Sequence, residues 1–175
     1  SNSDGTASPL FASHIAGLQR YLPAAMSLLA PNVNSYRRLI RYHAAPINVQ
    51  WGYDNRTVGL RVPDSEPHAR RVENRVPGAD ANPYLAVAAS LACGLLGMID
   101  GLEPDQPVAG SAYDMPYDLP RTLEQGLRAL RDCEPLQEIL GEKFVGAYDA
   151  VKQSEHSTFL QVISSWEREH LLLNV

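Results

Sequence analysis

Three features of the sequence predict an α+β fold. Apolar residues recur at helical spacing in the first thirty positions, three short strand-like runs fall between residues 47 and 76, and helical periodicity returns over most of the remainder. The expected architecture is a partial antiparallel sheet flanked by helices. From Pro9 to Tyr21, Leu10, Phe11, Ile15 and Leu18 share a helical face, with Ser8 placed to cap and Pro9 at the first helical position. Pro23 interrupts this helix, and a short second piece runs to Leu29 before Pro31-Asn32 closes the unit.

The first strand-like run, Ile47 to Trp51, is followed by a polar Tyr53-Asp54-Asn55 turn and then by Thr57 to Val62, which together read as a hairpin. In the second arm Val58, Leu60 and Val62 share one face and Arg61 takes the other. The third run, Arg70 to Val76, sets Val72, Asn74 and Val76 against Arg71, Glu73 and Arg75. An Arg-Glu-Arg row reads either as a self-neutralising surface ladder or as the wall of a polar site. Its clustering with Arg56 and Arg61 favours the site. Pro83 to Ile99 is apolar almost all round, yet it is rich in Ala and Gly, bracketed by Asp80 and Asp100, and short of a membrane span, so a buried helix is expected. A loop from Gly101 to Pro120 follows, long enough to be functional. Leu123 to Arg131 and Pro135 to Leu140 read as short amphipathic helices, and Lys143 to Asn174 as one uninterrupted helix carrying Phe144, Tyr148, Val151, Phe159, Val162 and Trp166.

The 175 residues, 45% of them hydrophobic, are enough for one domain with a real core. The net charge of −5 hides an asymmetry. Thirteen of the fifteen basic residues are arginines, and eight of them (Arg37, Arg38, Arg41, Arg56, Arg61, Arg70, Arg71 and Arg75) lie between Asn32 and Gly78 with only four acids, so that stretch is +4 and the remainder −9. Solubility alone does not select arginine over lysine; planar, forked guanidinium donors suit carboxylate and phosphate. Cross-strand ion pairing is the competing account of the same pattern. The acidic balance argues against nucleic acid as a partner. Cys93 and Cys133 form no metal spacing and no disulfide framework, which leaves a reducing cytoplasm as the default compartment. No signal peptide or membrane span is visible, and Ser1-Asn2 in place of a Met is expected to be an expression scar ahead of a truncated chain.

Six strings, in order and spacing, resemble the second half of the glutamine synthetase catalytic domain. They are Asn34-Ser-Tyr-Arg-Arg-Leu39, Ala45-Pro46, Trp51-Gly-Tyr-Asp-Asn-Arg-Thr57, Arg61-Val-Pro63, Ala69-Arg-Arg-Val-Glu-Asn-Arg75 and Ala81-Asn-Pro-Tyr-Leu85. The resemblance implies a guanido kinase-like catalytic fold, of which residues 3–175 are the C-terminal part, with the N-terminal β-grasp domain and the first half of the catalytic domain absent. It also implies an ATP-dependent ligase that phosphorylates the γ-carboxylate of glutamate and lets an amine displace the phosphate, with Mg²⁺ or Mn²⁺ as the metal. By position in the motifs, Arg38 is similar to the arginine that binds glutamate, Arg56 and Arg61 to those that hold ATP phosphates and the transferred phosphoryl, and Arg71 to a nucleotide contact. Glu73 is similar to a metal ligand, and Arg75 to the catalytic arginine at the reacting γ-carboxylate; Arg56 is the other expected catalytic residue.

One departure bears on the amine. Members of the family typically carry Gly-Tyr-Glu-Ala-Pro after the Arg-Leu pair, with the glutamate on a flap at the ammonium pocket; this chain reads Tyr42-His43-Ala44-Ala45-Pro46. Alanine removes the charge and opens space, as expected for a larger nucleophile, and Asp54-Asn-Arg-Thr57 with Arg71-Val-Glu-Asn-Arg75 resembles the γ-glutamylpolyamine synthetase branch, whose amine is putrescine or similar. Glutamine synthesis from ammonia and a non-catalytic assembly protein are the alternatives. Tyr113 is similar to a loop tyrosine that is adenylylated in some bacterial members, although an ordinary loop residue is the simpler reading. The resemblance further implies a homo-oligomeric ring with active sites between subunits, apolar surface exposed where the absent half would sit, and no catalysis by this piece alone.

Overall fold

The computed structural model describes residues 1–2 and 4–172. Helix α1 (Pro9–Tyr21) begins where Ser8 and Pro9 set it, with Ser8 Oγ accepting the Phe11 N–H at 3.3 Å. The chain turns at Pro23 into α2 (Met26–Leu29). Residues Val33–Arg38, which carry no helical signal in the sequence, form a 3₁₀ turn.

Helix α3 (Pro83–Ile99) is capped by Asn82, whose side chain accepts from the N–H groups of Tyr84 and Leu85. It packs along α1 at backbone contact. A Cβ on Gly17 would fall 2.3 Å from Cys93 O, and one on Gly97 2.3 Å from Ser13 O, so only hydrogen fits at either place. The expectation of a helix buried all round is not met. One face packs against α1 through Ala89, Ala92, Cys93, Gly94 and Gly97, while Tyr84, Val87, Leu91, Leu95 and Ile99 are exposed at helical spacing. Apolar content alone does not say how many faces of a helix find a partner.

The three strands are shorter than the sequence runs, and one pairing differs. Strand β1 (Trp51–Tyr53) runs parallel to β2 (Leu60–Val62), with Trp51 opposite Leu60 and Tyr53 opposite Val62; β2 then pairs antiparallel with β3 (Glu73–Asn74). No hairpin joins β1 to β2. Asp54 leaves β1 in the left-handed region (φ 45°), and Asn55 ties the connection down instead of closing a tight turn. Its Oδ1 accepts from Thr57 N at 2.9 Å while its Nδ2 donates to Val108 O and Gly110 O at 2.9 and 2.8 Å. The loop from Gly101 to Pro120 thereby straps the sheet: Val108 N donates to Trp51 O, Trp51 Nε1 to Asp105 O, and Asn48 Nδ2 to Ala112 O. This covers the free edge of β1.

Helices α4 (Leu123–Arg131), α5 (Glu134–Leu140) and α6 (Glu142–Leu160) close the domain. Leu127, Leu130, Leu136 and Val145 join Leu18, Leu22, Met26, Leu29, Leu60, Val62 and Val76 in one apolar core. The expected terminal helix is broken. Ser164 Oγ accepts from Glu167 N at 3.2 Å and Glu167 Oε2 accepts from Ser164 N at 2.7 Å, a reciprocal cap that starts a new helix, α7 (Ser165–His170), after Leu160. The end of that expected helix, residues 173–175, lies outside the described residues, as does Ser3. Among the described residues no helix is long and apolar enough to cross a membrane.

Gly17→Ala or Gly97→Ala is expected to cost about 1–3 kcal/mol or more, because backbone atoms cannot yield as side chains do. Gly146→Ala in α6, where a Cβ meets open space, serves as the neutral or slightly stabilising control. Thermal unfolding of the three variants measures both outcomes.

Candidate functional site

The site is organised by the β2–β3 register, which sets Arg61 directly opposite Glu73. Arg61 Nη1 donates to Glu73 Oε2 at 2.8 Å, and its Nη2 pairs with Asp54 Oδ1 at the end of β1. The Glu73 and Asp54 carboxylates hold the Arg61 guanidinium above its ordinary pKa. Arg71 Nη2 lies 3.8 Å from Glu73 Oε1, so both oxygens of Glu73 face guanidiniums.

Arg75 sits two residues beyond Glu73 on the same side, as the alternation predicts. Its side chain makes no ion pair among the described residues and donates instead to carbonyls: Nη1 to Val58 O at 2.8 Å and to Arg56 O, Nη2 to Ala44 O at 3.0 Å. Burial pulls its pKa down, and the neighbouring Arg61 and Arg56 cations add to that pull against Tyr113 and Glu73. A guanidinium stays protonated under such pressure, so the result is a concentrated positive patch.

Arg38 reaches the far end of β3, where Nη2 donates to Val76 O beside Gly78 and Asp80. Burial lowers its pKa and Asp80 opposes that. The Nε atoms of Arg38 and Arg61 are buried and have no hydrogen-bond partner among the described residues, an unsatisfied cost on both side chains. Arg56, Arg61, Arg71, Glu73 and Arg75 thus form one patch, with Arg38 at its border. The other clustered arginines serve different ends: Arg70 donates to Ser1 Oγ and Gly5 O, and Arg41 to Met115 O.

The patch fits anions better than it fits a divalent metal. Such an ion needs about six ligands, and among the described residues no three His, Cys, Asp or Glu side chains come together to hold one. Glu73 is available as a single ligand only if it exchanges a guanidinium for the ion.

Several participants were not marked in the sequence reading. Asp54 shares Arg61, and its place beside Arg56 in the Asp54-Asn-Arg string was the available signal. Asp80 supports Arg38 from 42 positions away, a link that no local pattern carries. Tyr113 is only 6% exposed, and its hydroxyl donates to Ala45 O at 3.2 Å, which places it as a structural member of the loop. His43 and Ala44 lie on a segment whose neighbours Tyr42 and Ala44 both adopt φ of 64°, a left-handed conformation costly for residues with a Cβ.

Residues 1–171 match the family model described as glutamine synthetase, catalytic domain. The chain belongs to the glutamine synthetase family. It is 40% identical to gamma-glutamylputrescine synthetase PuuA of Escherichia coli, over 99% of this chain and 37% of that protein. It is 37% identical to glutamate–isopropylamine ligase of Pseudomonas sp, over 93% and 36%, and 33% identical to glutamine synthetase of Methanocaldococcus jannaschii, over 92% and 37%. Among solved structures it superposes on apo GmaS with a TM-score of 0.85 at 32% identity, over 98% of this chain and 40% of that one, and on a GmaS/ADP complex at 0.86 and 30%, over 98% and 41%. The chain therefore spans little more than a third of the length of the curated relatives it matches.

Asp80 offers a test of the Arg38 support. Ser35 Oγ donates to its Oδ2 at 2.5 Å and Asn32 Nδ2 at 3.1 Å; these bonds, with Arg38 nearby, hold its carboxyl below the ordinary value. A pKa depressed on folding contributes stability that is present above about pH 4 and lost as the pH falls through and below that value. Asp80→Asn is expected to lower the thermal midpoint at neutral pH and to converge with the native chain in acid below the ordinary carboxylate range, as read by unfolding scans against pH.

Proposed function

We propose that the full-length protein is an ATP-dependent glutamate–amine ligase acting through γ-glutamyl phosphate, and that its amine is a polyamine such as putrescine. The observation that carries this reading is the pairing of Arg61 and Arg71 with Glu73, next to an Arg75 guanidinium that is fixed by backbone carbonyls and carries its charge uncancelled. Two anions, glutamate and a nucleoside triphosphate, must be brought together against their repulsion, and fixed donors supply that without reorganisation.

In this reading Arg38 binds glutamate, Arg61 and Arg71 bind ATP, and Arg56 holds the phosphoryl group as it transfers. Arg75 orients the reacting γ-carboxylate through N–H groups not spent on the three carbonyls. The γ-carboxylate oxygen attacks the terminal phosphorus, ADP leaves, and the amine nitrogen then attacks the acyl carbon, losing a proton as phosphate departs. Mg²⁺ or Mn²⁺ belongs to the same reading with Glu73 as one ligand; the residues present here do not build that centre by themselves, so no step above is routed through it. Ala44, with no charge to hold a small ammonium ion, supports an alkylamine, as do the names of the relatives that act on putrescine and isopropylamine.

The exposed stripe of α3 supports the further reading that this chain packs against the rest of its own catalytic domain and works in a homo-oligomeric ring. Apolar residues at helical spacing on an open face have no reason to be selected unless something covers them.

Full-length protein supplied with ATP, Mg²⁺ and glutamate is expected to release phosphate faster with putrescine than with ammonia. The reverse preference would assign it to glutamine synthesis, and the 175-residue chain alone is expected to release none. In the full-length protein, Arg56→Ala and Arg75→Ala are each expected to lower kcat by about a hundredfold or more, measured by the same assay.

A further inference from the structure

The arginine patch attracts anions, whereas glutamate–amine ligation also needs a cation-forming amine beside it. The structure builds one place of that opposite character. Arg75 Nη2 holds Ala44 O at 3.0 Å, which fixes the segment from Ile40 to Ala45 against the patch. On that segment Tyr42 is 70% exposed, and its ring stands 5.3 Å from the Tyr113 ring at 55°. The Tyr42 hydroxyl donates to Asp114 Oδ1 at 3.1 Å, and the Tyr113 hydroxyl donates to Ala45 O. A large apolar ring is therefore held open to solvent on a left-handed backbone by contacts from a loop some seventy residues away. Such strain persists where the surroundings over-determine it, and it concentrates at binding sites.

Asp114 is the carboxylate that reaches this segment, and among the described residues it pairs with no cation. The nearby Arg41 makes no ion pair with it; its guanidinium donates to Met115 O at 3.2 Å and lies 5.2 Å from the centre of the Tyr117 ring, although its charge is felt at the Tyr42 hydroxyl. An acid with no ion-pair partner beside the exposed Tyr42 ring is complementary to an alkylammonium, which gains from both the charge and the ring face. Tyr42 stands two residues from Ala44, at most about 7 Å between Cα atoms.

We propose that Asp114, with the ring of Tyr42 backed by Tyr113, forms a specificity-determining subsite for the distal ammonium of a diamine whose other nitrogen is acylated beside Ala44. The proposal rests on the glutamate–amine ligase reading. The small Ala44 side chain leaves a path for the methylene chain, and Asp114 supplies at a distance the negative charge that Ala44 lacks.

The test measures KM and kcat for putrescine, n-butylamine and ammonia in the full-length protein. Asp114→Asn is expected to raise the putrescine KM roughly tenfold while leaving both constants for n-butylamine, which has no second ammonium, unchanged. Asp114→Glu is expected to recover most of the loss, and Tyr42→Ala to raise the putrescine KM in the same direction. An unchanged putrescine KM in Asp114→Asn, or an equal rise for putrescine and n-butylamine, would overturn the subsite while leaving the ligase reading intact. A wild-type enzyme that prefers ammonia to both amines would overturn the amine reading itself, and the subsite with it, before any variant is made.

Discussion

Holding several guanidiniums together is the constraint on which the rest of this structure depends. Arg56, Arg61, Arg71 and Arg75 repel one another, and the fold answers in two ways. Acids interleave with them, Glu73 taking Arg61 and Arg71 while Asp54 takes the other side of Arg61. Arg75, which has no acid, is fixed by three backbone carbonyls from segments up to 31 residues away. Neutral carbonyls anchor a cation without cancelling it, so the charge remains available to a ligand while the side chain stays in place.

That arrangement explains why so little regular structure surrounds the site. Strands of two and three residues cannot hold a patch of mutually repelling cations by ladder hydrogen bonds alone. Side chains of the connecting loops do the holding: Asn55 and Asn48 bind the loop from Gly101 to Pro120 to the sheet, and Tyr113 binds it to the segment that carries Ala44. Behind the sheet, the close crossing of α1 and α3 at Gly17 and Gly97 supplies the rigid support. A loop of this length, carrying binding residues and pinned to a rigid base, is a common way of placing function.

Much of the helical part was legible because its signals are local. Ser8-Pro9 and Asn82-Pro83 each mark a helix start that the structure realises through a side chain accepting backbone N–H groups. The face assignment of Arg71, Glu73 and Arg75 was equally local, since alternation along an extended chain fixes it whether or not a long strand forms. The parallel pairing of β1 with β2 was not legible, because a polar turn between two apolar runs looks like a hairpin until Asn55 is seen bonded to residues more than fifty positions away. The break before α7 is carried in the sequence by Ser164 followed by Glu167, a capping pair set within continuous helical periodicity.

By itself the sequence determined the α+β class, the starts of α1 and α3, the shared face of Val58, Leu60 and Val62, and the concentration of arginine between Asn32 and Gly78. Each follows from residue type, spacing or motif, which act over a few positions. The tertiary structure decided which acids share those arginines, that Arg75 anchors Ala44, that one face of α3 stays open, and that Asp114 stands beside Tyr42. These depend on segments far apart in the chain meeting in space, and the electrostatics and packing that select those meetings act between surfaces that exist only once the chain has folded.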